Sequence, residues 1–163
     1  MKRRGFTLVE LLVVIVIIAV LAALLVVLVK GMIARARNNS TKALIEVLSH
    51  GCDVYRTDTG AWPPAAPFVG SQNLHYHLGS PRQVEMQAGI AVARPPIIEF
   101  KREWLDPAAA STLPSPPAFI IDRFGNPIQY ACPGINNLKG VDIWSNGSDP
   151  ADAADDLANW LRD

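Results

Sequence analysis

Met1-Lys2-Arg3-Arg4-Gly5-Phe6-Thr7-Leu8-Val9-Glu10 opens the chain and runs into unbroken apolar sequence from Leu11 to Val29. As a helix, residues 6–29 would measure about 36 Å, enough to cross a hydrocarbon core of about 30 Å with some tilt. Glu10 is out of place in such a segment. A charge inside a membrane costs at least about 2.5 kcal/mol, so this carboxylate calls for a partner or a role.

The helical pattern continues past the apolar run. Lys30 and Gly31 mark its exit, and Leu44, Val47, Leu48, Gly51 and Tyr55 then recur at i, i+3, i+4, i+7 and i+11. That spacing draws one apolar stripe on an amphipathic helix, with Lys42, Glu46 and Ser49 off it. Asp58-Thr59-Gly60 supplies a stop and Pro63-Pro64 forbids a restart. The pattern predicts a single helix over residues 6–58, with 6–29 as its transmembrane segment.

The basic head, Gly5, the aromatic after it and the glutamate five residues past Gly5 resemble the leader of type IV pilins and type II secretion pseudopilins. The resemblance implies a leader over residues 1–5, removed by a prepilin peptidase that cuts between Gly5 and Phe6 and methylates the new N-terminus. It also implies an assembly role for Glu10. A plain anchor would leave Gly5-Phe6 and Glu10 unexplained. A secretory signal cut near Ala22 or Ala23 would leave Leu24 to Val29 as unused apolar sequence.

A second set of residues resembles the C-terminal half of the major pseudopilin of type II secretion. It comprises Asp122-x-Phe124-Gly125-Asn126-Pro127, a strand with Tyr130, Pro133-Gly134, and Val141-Asp142-Ile143-Trp144-Ser145-x-Gly147. This implies an α+β fold: a long N-terminal helix packed on a small antiparallel sheet, with a loop-rich middle. Residues 59–163 would form a periplasmic domain, held by a single pass in the bacterial inner membrane. The implied function is that of a structural pseudopilus subunit, assembled through its N-terminal helix into a filament that helps drive protein export. Partners would be further copies in a helical filament, the prepilin peptidase, an inner-membrane assembly platform, minor pseudopilins, and lipid before assembly. A type IV pilus or competence pseudopilus subunit is the near alternative. A different class, a membrane-anchored extracytoplasmic binding module, would present Trp62 and residues 65–117 to a ligand.

Composition narrows the field. Fifteen basic and fifteen acidic residues balance over 163 positions, and removing Lys2, Arg3 and Arg4 leaves a mildly acidic chain. A nucleic-acid partner, which needs a basic surface, is not expected. No nucleophile motif, phosphate-cradling loop or metal-hydrolase helix occurs, so no enzyme is expected. Cys52 and Cys132 are a candidate disulfide in an exported domain and buried thiols in a cytosolic one; sequence alone does not supply the separation that decides. His75 and His77 lack a third donor nearby and read as loop histidines.

Several local expectations follow. Leu74–Leu78 reads as a short helix, and Ile97–Phe100, Ala118–Asp122, Ile128–Cys132 and Val141–Trp144 read as strands. The tail places Asp149, Asp152, Asp155 and Asp156 with Asn146 in a short stretch of oxygen donors suited to Ca²⁺. Major pseudopilins bind calcium in the equivalent loop, though this loop departs from their glycine-rich pattern. An Asp149-capped helix, with Leu157, Trp160 and Leu161 on its apolar face, is the competing reading.

Overall fold

The computed structural model describes residues 8–86, 90–106 and 117–161. The chain divides into two compact units, residues 1–37 and 38–163. Helix α1 (Leu8–Thr59) supplies the described part of the first unit and the first element of the second. Gly5 and Phe6 lie outside the described residues.

In the first unit the apolar run is helical, and it is long and apolar enough to cross a membrane. Its side chains stand open: Ile15, Leu21 and Leu25 are each more than half exposed. Such a surface asks for lipid or for other helices.

The second unit is α+β. Helix α2 (Ser71–Gly79) follows α1, then a hairpin of β1 (Arg82–Met86) and β2 (Ile90–Arg94), paired antiparallel with Val84 opposite Val92 and Met86 opposite Ile90. A second antiparallel sheet has the order β3 (Gln129–Ala131), β4 (Asp142–Ser145), β5 (Leu157–Ala158). Leu44, Ile45, Leu48 and Cys52 of α1 meet Leu74 and Leu78 of α2, Ile98, Ile120, Ile128 and Ile143 in one core. The buried face of α1 is therefore turned from the expected stripe. Leu44, Leu48 and Gly51 are inside, but Val47 is 42% exposed and Thr41 and Ile45 take up core positions.

Two expected strands do not form. Ile97 and Ile98 both donate their N–H groups to the Leu78 carbonyl at the end of α2, which leaves that segment no ladder of its own. Residues 118–122 spread their backbone bonds over loop partners. His75 Nδ1 accepts from Ala118, Ser71 Oγ accepts from Ile120, and the Trp104 carbonyl accepts from Ile121. Only isolated bridges remain there, Leu105 to Ile120 and Ile121 to Pro127. The β1–β2 hairpin was not expected. The capped-helix reading of the tail also gives way: Ala153–Asp155 is one 3-10 turn capped by Asp152, and Leu157–Ala158 is the edge strand β5.

Candidate functional site

Glu10 lies in the first turn of α1, exposed among apolar side chains. An acidic residue near a helix N-terminus is favoured by the dipole, but the desolvation of a membrane exceeds that small gain.

Among the described residues of the second unit, Asp122 and Asp142 are buried carboxylates, and both are committed to shaping turns. Asp122 Oδ1 accepts from the N–H groups of Phe124 and Asn126, each at 2.8 Å, while Oδ2 takes the Ser145 hydroxyl. Gly125 completes this turn at φ 92°, where a side chain would be strained. Asn126 Nδ2 then donates to the Gly147 carbonyl at 2.8 Å, tying the turn to the tail. Asp142, 1% exposed, accepts from Ile135 N (2.8 Å), Asn136 N (2.8 Å) and Asn137 N (2.9 Å). The loop between β3 and β4 is thus wrapped around one carboxylate.

The tail residues are drawn together only in part. Asp155 Oδ2 accepts from Ser148 N (2.7 Å), Ser148 Oγ (2.6 Å) and Asp149 N (3.1 Å), and the serine hydroxyl is the main reason its carboxyl is held below the ordinary range. Its other oxygen, Oδ1, is shielded from solvent against Gly147 and has no hydrogen-bond donor. Asp149 and Asp152 each cap a turn, accepting from Ala151 N and Ala154 N. Among the described residues no three His, Cys, Asp or Glu side chains are placed to hold a metal ion. The donors have the chemistry for Ca²⁺, but the four carboxylates and Asn146 do not stand as a closed shell.

Cys52, fully buried on α1, and Cys132, just past β3, pack against the same core, and both stand as free thiols. Burial pushes the Cys52 thiol well up, with Asp53 and then Cys132 adding to it. Tyr130 lies with them, its hydroxyl donating to the Pro63 carbonyl and its acidity suppressed chiefly by burial.

Both histidines of the middle segment engage backbone groups. His75 Nδ1 accepts from Ala118 N at 3.0 Å, and His77 Nε2 lies 3.2 Å from the Ala66 carbonyl with its ring edge-on to Tyr55. Burial lowers the pKa of both. The stability linked to the neutral rings is present above about pH 6.5 and lost as pH falls through the lowered values. Trp62, expected to face a ligand in the binding-module reading, packs against the core with the Arg56 guanidinium 4.6 Å over its ring.

An apolar helix carries a carboxylate near its start, and its later turns supply part of the core of a small α+β unit. Residues 1–26 match the family described as the prokaryotic N-terminal methylation motif. No curated protein matches the sequence. Among solved structures, the chain is similar to the major pseudopilin from the type 2 secretion system of enterohaemorrhagic Escherichia coli. The two are 23% identical over 80% of this chain and 87% of that one, with a TM-score of 0.46.

Proposed function

We propose that the chain is a structural subunit of a type II secretion pseudopilus. Residues 6–29 anchor it in the inner membrane before assembly, and residues 59–163 face the periplasm. The observation that carries this reading is the N-terminal methylation motif at the head of an exposed apolar helix. The Asp122–Gly147 series supports the type II assignment within the pilin-like class. The function is mechanical: the prepilin peptidase exposes a new N-terminus, the assembly platform extracts the subunit, and copies stack through α1 with minor pseudopilins. N-terminal sequencing of the mature protein, made with its native peptidase, tests the reading. The chain should begin at N-methylated Phe6, and Gly5→Arg should leave it starting at Met1. A wild-type protein that starts at Met1 or near Ala23 overturns it.

Calcium is proposed as a structural ion of the tail, held by Asp155 Oδ1 with oxygens drawn from Asn146, Asp149, Asp152 and Asp156. The buried, donorless Oδ1 supports it. An ion bound only by the folded form adds about 2.7 kcal/mol at a hundred times its dissociation constant. Melting residues 38–163 with calcium and with chelator should therefore show a higher Tm with calcium, and Asp155→Ala should erase that difference. An unchanged Tm at millimolar calcium rules the ion out.

The periplasmic placement has a covalent corollary. Cys52 and Cys132, thiols that pack against the same core, are expected to be oxidised to a disulfide there by the oxidising compartment, which would contribute about 2–4 kcal/mol by closing a long loop. Mass spectrometry of protein isolated unreduced should show the loss of both thiol hydrogens. Two alkylatable thiols would rule the bridge out.

A further inference from the structure

Within the second unit, α1 carries more apolar surface than its core uses. Ala43, Val47 and Val54 lie along the flank beside the buried Leu44–Leu48–Cys52 face and, with Pro96 and Ile97 opposite, line an open groove of about 700 Å³. The groove is narrow where Gly51 sits, because a Cβ there would stand 2.7 Å from Ile98 Cδ1. The exposed carboxylate of Glu46 edges it, and its far end is closed by the Asp58–Arg94 ion pair at 3.1 Å. A groove of this size and lining is suited to receiving a few apolar side chains.

The same unit presents side chains of that kind. Ile135 and Leu138 are 80% and 82% exposed on the loop between β3 and β4, followed by exposed Lys139. Large apolar residues on a mobile loop would carry little meaning, but this loop is fixed. The three N–H bonds to Asp142 and a fourth from Asn136 Nδ2 (3.3 Å) hold its backbone, as does Gly134 N to Gly140 O at 3.0 Å. A surface that is already ordered spends little conformational entropy on binding. Knob and groove also match in charge, Lys139 beside the knob and Glu46 beside the groove.

We propose that the Ile135–Lys139 loop of one copy docks in the α1 groove of a second copy, with Ile135 and Leu138 covering Val47 and Val54 and Lys139 facing Glu46. The inference rests on the filament reading and names the lateral contact within it. A patch on one face meeting a different patch on the next molecule is a heterologous contact, and such contacts propagate into open helical filaments. A loop of five residues seated in one groove would bury less than the roughly 1,600 Å² of a stable standalone complex. The isolated second unit therefore stays monomeric, and the contact acts once the N-terminal helices have brought copies together.

Full-length protein, assembled with its native machinery and carrying a photo-crosslinking amino acid at position 138, tests the inference. Crosslinked peptides should join position 138 to residues 43–54 or 95–98 of another copy. Lys139→Glu should lower filament yield several-fold, and adding Glu46→Lys should restore it. Crosslinks that land elsewhere, on lipid or on another protein, overturn the inference while leaving the filament reading intact, as does full assembly of Lys139→Glu. Wild-type protein that forms no filament overturns both. Since Leu138 and Lys139 are exposed, these substitutions leave folding unchanged, which the Tm of each variant verifies.

Discussion

Asp142→Ala should lower the stability of the second unit by about 3 kcal/mol, enough to lower its Tm by roughly 10 °C or more. The carboxylate is buried and accepts from three backbone N–H groups within 2.9 Å. Hydrogen bonds to a charged group contribute about 1.5–3 kcal/mol each, and re-hydration of the freed loop recovers part of the sum. Asp142→Asn should fall between, because its amide presents donors where the loop also presents donors. Gly134→Ala provides an independent check. Its Cβ would come within 2.6 Å of Asp142 Oδ1, pushing the carboxylate off the loop without deleting it. Thermal melting of residues 38–163 measures all three, and an Asp142→Ala protein that melts with wild type would show that the loop holds its own shape.

Glu10→Ala should assemble poorly into filaments while leaving membrane insertion and folding of the second unit intact. The substitution removes a charge from the first turn of an apolar helix, so the membrane-inserted subunit becomes easier to accommodate. What is lost is an attraction between molecules. In the proposed filament the Glu10 carboxylate pairs with the Phe6 ammonium of the neighbouring subunit. Opposite charges in a low-dielectric core attract strongly and offset the desolvation that each would bear alone. The pair sets the axial register between copies. Filaments scored by microscopy, with no wild-type subunit present, decide it: normal assembly of Glu10→Ala would falsify the pairing.

The α1 helix was legible because two long-range signals agree, a continuous apolar run and then a 3.6-residue repeat to Tyr55. Sequence set its buried face by hydrophobicity alone, and so counted Val47 as core. The chain instead buries Thr41, whose hydroxyl accepts from Arg123 N at 3.3 Å and so anchors the Asp122 turn. The strands β3 and β4 were legible from alternation around a Pro-Gly turn. The β1–β2 hairpin left a fainter trace, since Val84, Met86, Ile90 and Val92 alternate but sit in an Ala-, Gly- and Pro-rich region that reads as loop. Residues 118–122 show the opposite failure. Their composition is that of a strand, but side chains of α2 take two of the ladder bonds, and periodicity carries no sign of such competition. The roles of Asp122 and Asp142 were hidden for a related reason: a carboxylate that organises a loop looks in sequence like any solvated one. The tail misled once, because its aspartates also suggest a capped helix, while Asp149, Asp152 and Asp155 fasten neighbouring backbone around a single 3-10 turn.

Asn159 closes the second unit in a way that orders its biogenesis. Its side chain accepts from Ile143 N at 3.1 Å and donates to the Val141 carbonyl at 2.9 Å and to Ser49 Oγ on α1 at 3.1 Å. With β5 just before it, the clasp joining the third strand, the second strand and the helix comes from residues 157–159, made after every element they fasten. Until those residues emerge from the ribosome, β4 has an open edge and α1 lacks this tether to the sheet. The domain is thus kept from locking before residues 157–159 are available.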